Sequence, residues 1–199
     1  FRDVAHWERA LAADALKPIA DEIARRADVM VLGYAGGGVR HIVANRPVAN
    51  LAALKGLKLR VQAAPIHTRI FQGIGAAPSV IAYQEVYNAI QNGVIQAGEN
   101  EAAGVEQMKF YEVGSNLNLT QHAITIRPLC FSGKTFKKLP ADLQAATVKA
   151  GKEAAAHGRQ VESSEDSAKV DALEKAGKLK KIPFADRAAM KKLVDPVIE

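Results

Sequence analysis
The sequence predicts an α/β fold built on a parallel sheet, and three observations lead to it. Between Leu54 and Asn100, in LKGLKLRVQAAPIHTRIFQGIGAAPSVIAYQEVYNAIQNGVIQAGEN, short apolar runs alternate with segments of helical period. That alternation reads strand, helix, strand, helix, strand, and parallel neighbours require such crossovers. From Leu139-Pro140 to about Ala176 the chain turns rich in Ala, Glu, Lys and Gln with few β-branched runs, the composition of one long helix. The bulk numbers agree: 199 residues, 48% hydrophobic and 24% charged, suit one good-sized globular domain or two small lobes.

In order, Phe1 to Arg26 is predicted helical, with Asp3 as cap, apolar positions at Trp7, Leu11, Leu16, Ile19 and Ile23, and Pro18 splitting it. Val29 to Tyr34 is predicted as a buried strand and Val39 to Ala44 as a second, with the glycines 36–38 as a flexible crossing between them. Asn50 caps LAALKG and Gly56 closes it. Pro65 opens a helix through Phe71 that Gly73 or Gly75 ends. Val80–Ala82 and Val94–Gln96 read as short strands around a helix from Gln84 to Gln91, which Asn92-Gly93 stops. Glu101 to Gln107 reads as a helical turn or two. Tyr111 to Thr125 is β-rich, with Leu117 and Leu119 alternating against Asn116, Asn118 and Thr120, the pattern of a strand with a polar face near a cleft. Pro128 to Ser132 reads as a buried strand. Pro140 and Asp142 start the long helix, Gly177 stops it, and its length implies about 55 Å. LKKIPF is a short strand and Ala185 to Ile198 a last amphipathic helix.

Composition narrows the function classes. One cysteine, Cys130, excludes an internal disulfide, and its place in PLCF predicts a small core residue. The formal net charge is +6, with much of the excess in KTFKK, KAGKLKK and MKK. Aromatics are scarce there, so a solvated basic face is favoured over a nucleic-acid surface. No apolar run approaches the ~20 residues of a membrane span. The chain opens FRDVAHWERA, without a secretory leader or initiator Met, and reads as a mature or truncated product.

The chemistry on offer is that of binding. The histidines at 6, 41, 67, 122 and 157 make no HxH or HExxH, no CxxC occurs, and no metal or cofactor is expected. GxSxG, GxxxxGK[ST] and GxGxxG are absent. Glu99 and Glu101 read as a solvated pair in a turn. Ligands of open α/β sheets lie beyond the carboxyl ends of the strands. Arg60 lies near the end of the first run of the central stretch, Tyr83 just past the second and Asn100 just past the third, so all three can face one crevice. An arginine fork there suits a carboxylate. Arg40, after the glycine run, adds a second cation, and Arg127 beside Pro128 is a further candidate. The rival class is an enzyme acting on a sugar acid or keto acid with Glu99 or His122 as base. A basic interaction module is the third.

Several of these segments, taken together, are recognisable. LKGLKLRV, GAAPSVIAYQEVYNAIQNGVI, GEN, QMKFYEVGSNLNLTQH and LPADLQ follow one another here in an order and spacing that resembles the extracytoplasmic solute-binding proteins of TRAP transporters. The resemblance covers most of the chain, most densely Gly38 to Gln144. It implies two hinged α/β lobes of the periplasmic-binding-protein kind closing on a small organic anion, with a long helix spanning both. Residues 1–37 and 126–165 would belong to lobe 1 and residues 38–125 and 166–199 to lobe 2, part of lobe 1 preceding Phe1. It implies a periplasmic monomer that delivers an organic acid to the membrane components of a transporter and performs no catalysis. The family's main carboxylate-binding arginine falls on Arg60, a second arginine on Arg40, the aromatic pocket residue on Tyr83 and the pocket asparagine on Asn100. The family's Gln-Glu-Asn-Pro is Gly98-Glu99-Asn100-Glu101 here, which changes the pocket wall beside Asn100. Tyr83 and the strand Asn116 to Thr120 point toward hydroxyl-bearing acids.

Overall fold
A computed structural model describes residues 1 and 3–198. Helices α1 (Val4–Ala12) and α2 (Lys17–Ala27) open the chain. The Asp3 carboxylate accepts the His6 N–H at 2.6 Å, and Pro18 stands in the first turn of α2, where a missing N–H is harmless. Strand β1 (Val29–Ala44) follows, then α3 (Leu51–Leu54), capped by Asn50. The central region alternates β2 (Lys58–Val61), α4 (Pro65–Gly73), β3 (Ala77–Val80), a 3-10 turn at Tyr83–Glu85, α5 (Val86–Gln91) and β4 (Ala97–Asn100). Short helices α6 (Ala102–Gln107) and α7 (Phe110–Val113) lead to β5 (Asn116–Ser132) and α8 (Gly133–Phe136). The long helix α9 (Ala141–Lys175), β6 (Lys180–Pro183) and α10 (Arg187–Ile198) complete the order.

The chain divides into two compact units. Unit 1 holds Phe1–Gly38 and Ile124–Glu165; unit 2 holds Val39–Ala123 and Asp166–Glu199. In unit 1, Trp7 is fully buried, and a Cβ on Gly37 would press on its ring and on Ser163 Oγ. In unit 2 the strand order is β3-β2-β4-β1-β5-β6. β2 runs parallel to β3 and β4, as the crossovers predict, whereas β1 pairs antiparallel with β4, so the sheet is mixed. Both faces of this sheet are covered. Ile42 joins Leu54, Leu59, Val61, Phe71 and Met190 on one side. Its neighbour Val43 joins Val86, Ile90, Phe110, Leu117, Val170 and Leu173 on the other. Successive strand residues point to opposite faces, so a strand buried on both sides carries a continuous apolar run.

Several local expectations are corrected. The glycine run does not interrupt β1: Gly36 and Gly37 take φ of 109° and 120° inside the strand. The segments predicted at Tyr111–Thr125 and Pro128–Ser132 are one strand, β5, and Phe110–Val113 before it is helical. Val94–Gln96 is not a strand, because β4 is AGEN itself, and β3 ends at Val80 instead of beginning there. Beside these strands Ile95 is buried and Ile81 half-buried against the core, where hydrophobicity marks burial without marking ladder pairing. Cys130 is exposed. Pro128, Cys130 and Ser132 form the outward alternation of β5, with Leu129 and Phe131 half-buried between them.

Gly36 offers a sharp test, since any Cβ there would lie 2.2 Å from Thr125 O at a φ side chains rarely adopt. Gly36→Ala is expected to destabilise by about 2–4 kcal/mol, read as a fall in the urea midpoint at unchanged slope.

Candidate functional site
Arg60, Tyr83 and Asn100 come together in unit 2. Arg60 is the third residue of β2 and only 7% exposed. Its Nε donates to Ile81 O at 2.9 Å, and its guanidinium carbon lies 5.5 Å from the Tyr83 ring centre. That backbone oxygen is the one hydrogen-bond acceptor Arg60 has among the described residues, and it takes Nε. Burial lowers the Arg60 pKa, Glu99 opposing and Arg40 reinforcing the shift. Asn100 ends β4 and donates through Nδ2 to Tyr83 Oη at 2.7 Å. Gly104, one turn into α6, makes room for it, since a Cβ there would sit 2.2 Å from Asn100 Nδ2.

Arg40 lies beside this group but is engaged by protein. Its Nε donates to Glu99 Oε2 at 2.6 Å, its Nη2 to Glu99 Oε1 at 2.9 Å, and its Nη1 to Glu101 Oε2 at 2.6 Å. The solvated turn expected for Glu99 and Glu101 is therefore wrong: they are 3% and 4% exposed and their charges meet Arg40. His122 adds a contact from Nε2 to Glu99 Oε2 at 3.2 Å, while its Nδ1 lies 2.8 Å from Thr120 Oγ1. Burial raises the Glu99 pKa, but bonds from His122 and Arg40, with their charges, outweigh it and hold the carboxyl at about 2. His41, opposite Asn100 in the β1–β4 register, is lowered to about 4, chiefly by burial and then by His122 and Arg187. Its Nδ1 accepts the Gln121 N–H at 3.3 Å.

The polar strand Asn116 to Thr120 does not face a cleft through its asparagines. Asn118 donates to Ile42 O and accepts from Val48 N, and Asn116 donates to Ala44 O. Arg127 belongs to unit 1, where its Nε donates to Glu162 at 3.1 Å. Sequence reasoning missed the Arg40–Glu99–Glu101 cluster and the pair Gln62–His67. Strand alternation was the available signal: Glu99 and Glu101, like Arg60 and Gln62, are two apart. Among the described residues, no group of three or more His, Cys, Asp or Glu could hold a metal ion, and no helix is long and apolar enough to cross a membrane.

The sequence model of DctP, the bacterial extracellular solute-binding protein family 7, matches residues 1–199. The chain belongs to this family. A solute-binding protein of Sulfitobacter sp. (strain NAS-14.1) is 52% identical to it over 197 residues, 99% of this chain and 60% of the relative. The crystal structure of a TRAP periplasmic solute-binding protein from Sulfitobacter sp. NAS-14.1, with bound α-D-taluronate, superposes with a TM-score of 0.96 at 52% identity, covering 99% of this chain and 64% of the other. A Roseobacter denitrificans TRAP solute-binding protein holding β-D-glucuronate gives 0.92 at 30% identity, covering 100% and 65%. The DctP-family chain thus spans less than two thirds of the length of these relatives.

Two outcomes follow for this DctP-family site. Arg40→Met strands two buried carboxylates and is expected to destabilise by about 3–5 kcal/mol in urea unfolding. Acid sensitivity is expected too. A folded His41 pKa near 4, below the ordinary 6.5, means the unfolded chain binds more protons between those values. Stability is full above pH 6.5 and falls as the pH drops toward 4, on the order of 3 kcal/mol. His41→Gln, which keeps an acceptor for Gln121, should flatten that limb of the urea-midpoint profile.

Proposed function
We propose that this chain is the solute-capturing part of a TRAP-type importer, working outside the cytoplasmic membrane and taking a hexuronate-like sugar acid. The observation that carries the reading is the free fork of Arg60, a buried guanidinium with one backbone acceptor and no carboxylate of its own. Such a group favours a ligand carboxylate, held by two parallel charge-assisted bonds. Tyr83 backs the fork with its ring face, and Asn100 is fixed in register by Tyr83 Oη. Arg40 contributes field and scaffolding through Glu99 and Glu101. Arg127 is a candidate only for a secondary role, since Glu162 already answers its charge.

The relatives support the ligand class. The Sulfitobacter and Roseobacter structures hold taluronate and glucuronate, and an Escherichia coli (strain K12) relative 30% identical over 181 residues is a 2,3-diketo-L-gulonate-binding periplasmic protein. Membrane components of a TRAP transporter are the proposed recipients. The reading includes no turnover. Glu99, the base of the enzymatic alternative, is 2% exposed at its side chain, held at about 2, and has both oxygens occupied by Arg40. A carboxylate so placed is a feeble proton acceptor at neutral pH.

Calorimetry of the full-length protein with D-glucuronate, D-taluronate and succinate tests the reading. The uronates are expected to bind without product appearing by NMR, and Arg60→Ala to cost about 2–5 kcal/mol of affinity. Binding by Arg60→Ala within about threefold of the parent, or conversion of the acid, would overturn it.

A further inference from the structure
Gln62 stands one residue beyond the carboxyl end of β2, two positions after Arg60. Its amide Nε2 lies 3.0 Å from His67 Nδ1 and 3.5 Å from His67 Nε2. His67 is on α4, one turn before Phe71, whose ring packs edge-on against His122 at 5.5 Å. That face of α4 therefore looks toward the cluster of His122, Glu99 and Arg40. Electrostatics agree: burial foremost lowers the His67 pKa, and the charges of Glu99, Arg40, His122 and Arg60 all reach its ring.

What the pair presents is set by hydrogen-bond arithmetic. If the Gln62 amide donates to Nδ1, the neutral ring carries its proton on Nε2, leaving a ring donor beside the Gln62 carbonyl acceptor. If the amide is turned over, Nδ1–H donates to the carbonyl, leaving the NH2 as donor and Nε2 as acceptor. Either assignment offers one donor and one acceptor next to each other. No further partner for either side chain occurs among the described residues. A hydroxyl both gives and takes a hydrogen bond, so a vicinal diol matches this pair. A second carboxylate accepts only, and would face an unmatched acceptor lone pair.

Resting on the Arg60 carboxylate reading, we propose that Gln62 and His67 form the specificity element of the site, binding two neighbouring hydroxyls of the acid and rejecting ligands that carry a second carboxylate there. Arg60 then supplies charge recognition common to any organic acid, and the Gln62–His67 pair selects the polyhydroxy acids.

The test is calorimetry of the full-length protein with D-glucuronate and with succinate, for the parent, Gln62→Ala, His67→Ala, the double variant and Arg60→Ala. Gln62 is exposed, so its removal leaves the fold intact even if His67→Ala does not fold. Each single variant should lose on the order of tenfold in glucuronate affinity. The double variant should lose little more than either, because the two act as one unit. The glucuronate-to-succinate affinity ratio should fall in step. Unchanged glucuronate affinity and ratio in Gln62→Ala would overturn the proposal. If Arg60→Ala abolishes glucuronate binding in that same experiment, the carboxylate reading survives alone; if the parent binds neither acid, it is the carboxylate reading that has failed.

Discussion
Glu99 decides which of two neighbouring arginines remains available. Its carboxylate holds Arg40 through two nitrogens, while Glu101 takes the third. Arg60, in the same cluster, is left with a backbone oxygen. Taking a guanidinium out of water is costly unless its donors are answered. For Arg40 the protein answers them; for Arg60, among the described residues, it answers one. On the proposed reading such a fork is pre-organised for an incoming carboxylate, its orientation set by Ile81 O and the Tyr83 face.

The same economy of donors explains the polar strand. Asn116 and Asn118 bind the carbonyls of Ala44 and Ile42, and Asn118 also receives Val48 N–H, so they tie β5 and the loop after β1 to the sheet. Buried amides that complete backbone pairing are structural, whatever their polarity suggests. Under the proposed function a ligand's hydroxyls would be met elsewhere, and Gln62 and His67, at the end of β2 and the start of α4, have unanswered capacity among the described residues.

Much of this was legible in the sequence, and the reasons are local. The long helix, the caps at Asp3 and Asn50, the stop at Gly93 and the parallel crossovers rest on spacing and turn chemistry, which act within a few residues. Arg60, Tyr83 and Asn100 could be placed together because strand ends in such a sheet share one edge. What stayed hidden depends on pairing across long sequence separation. That Val29–Ala44 is one strand depends on Gly36 lying against Thr125, and that Glu99 is buried requires Arg40, 59 residues away. Cys130 shows the same limit: PLCF reads as core, yet which side of a strand is covered is a tertiary fact.

The departure Gly98-Glu99-Asn100-Glu101 from the family's Gln-Glu-Asn-Pro takes on a physical meaning in this light. A proline at position 101 would offer Arg40 no carboxylate. Glu101 at that place gives the Arg40 guanidinium a second anion, so its one positive charge lies between two buried negative ones. The charges of Glu99 and Arg40 both reach Arg60, with opposite effects on its pKa. On the proposed reading, a dianionic acid would bring two negative charges beside these carboxylates, whereas a monoanionic sugar acid would bring one and fill its remaining contacts with neutral hydroxyls. At the few-ångström separations of this cluster, and with little water between the groups, that difference is worth on the order of a kcal/mol or more. Under the proposed function, electrostatics at Glu99 and Glu101 and hydrogen-bond matching at Gln62 and His67 would select in the same direction, toward an acid with one charge and many hydroxyls.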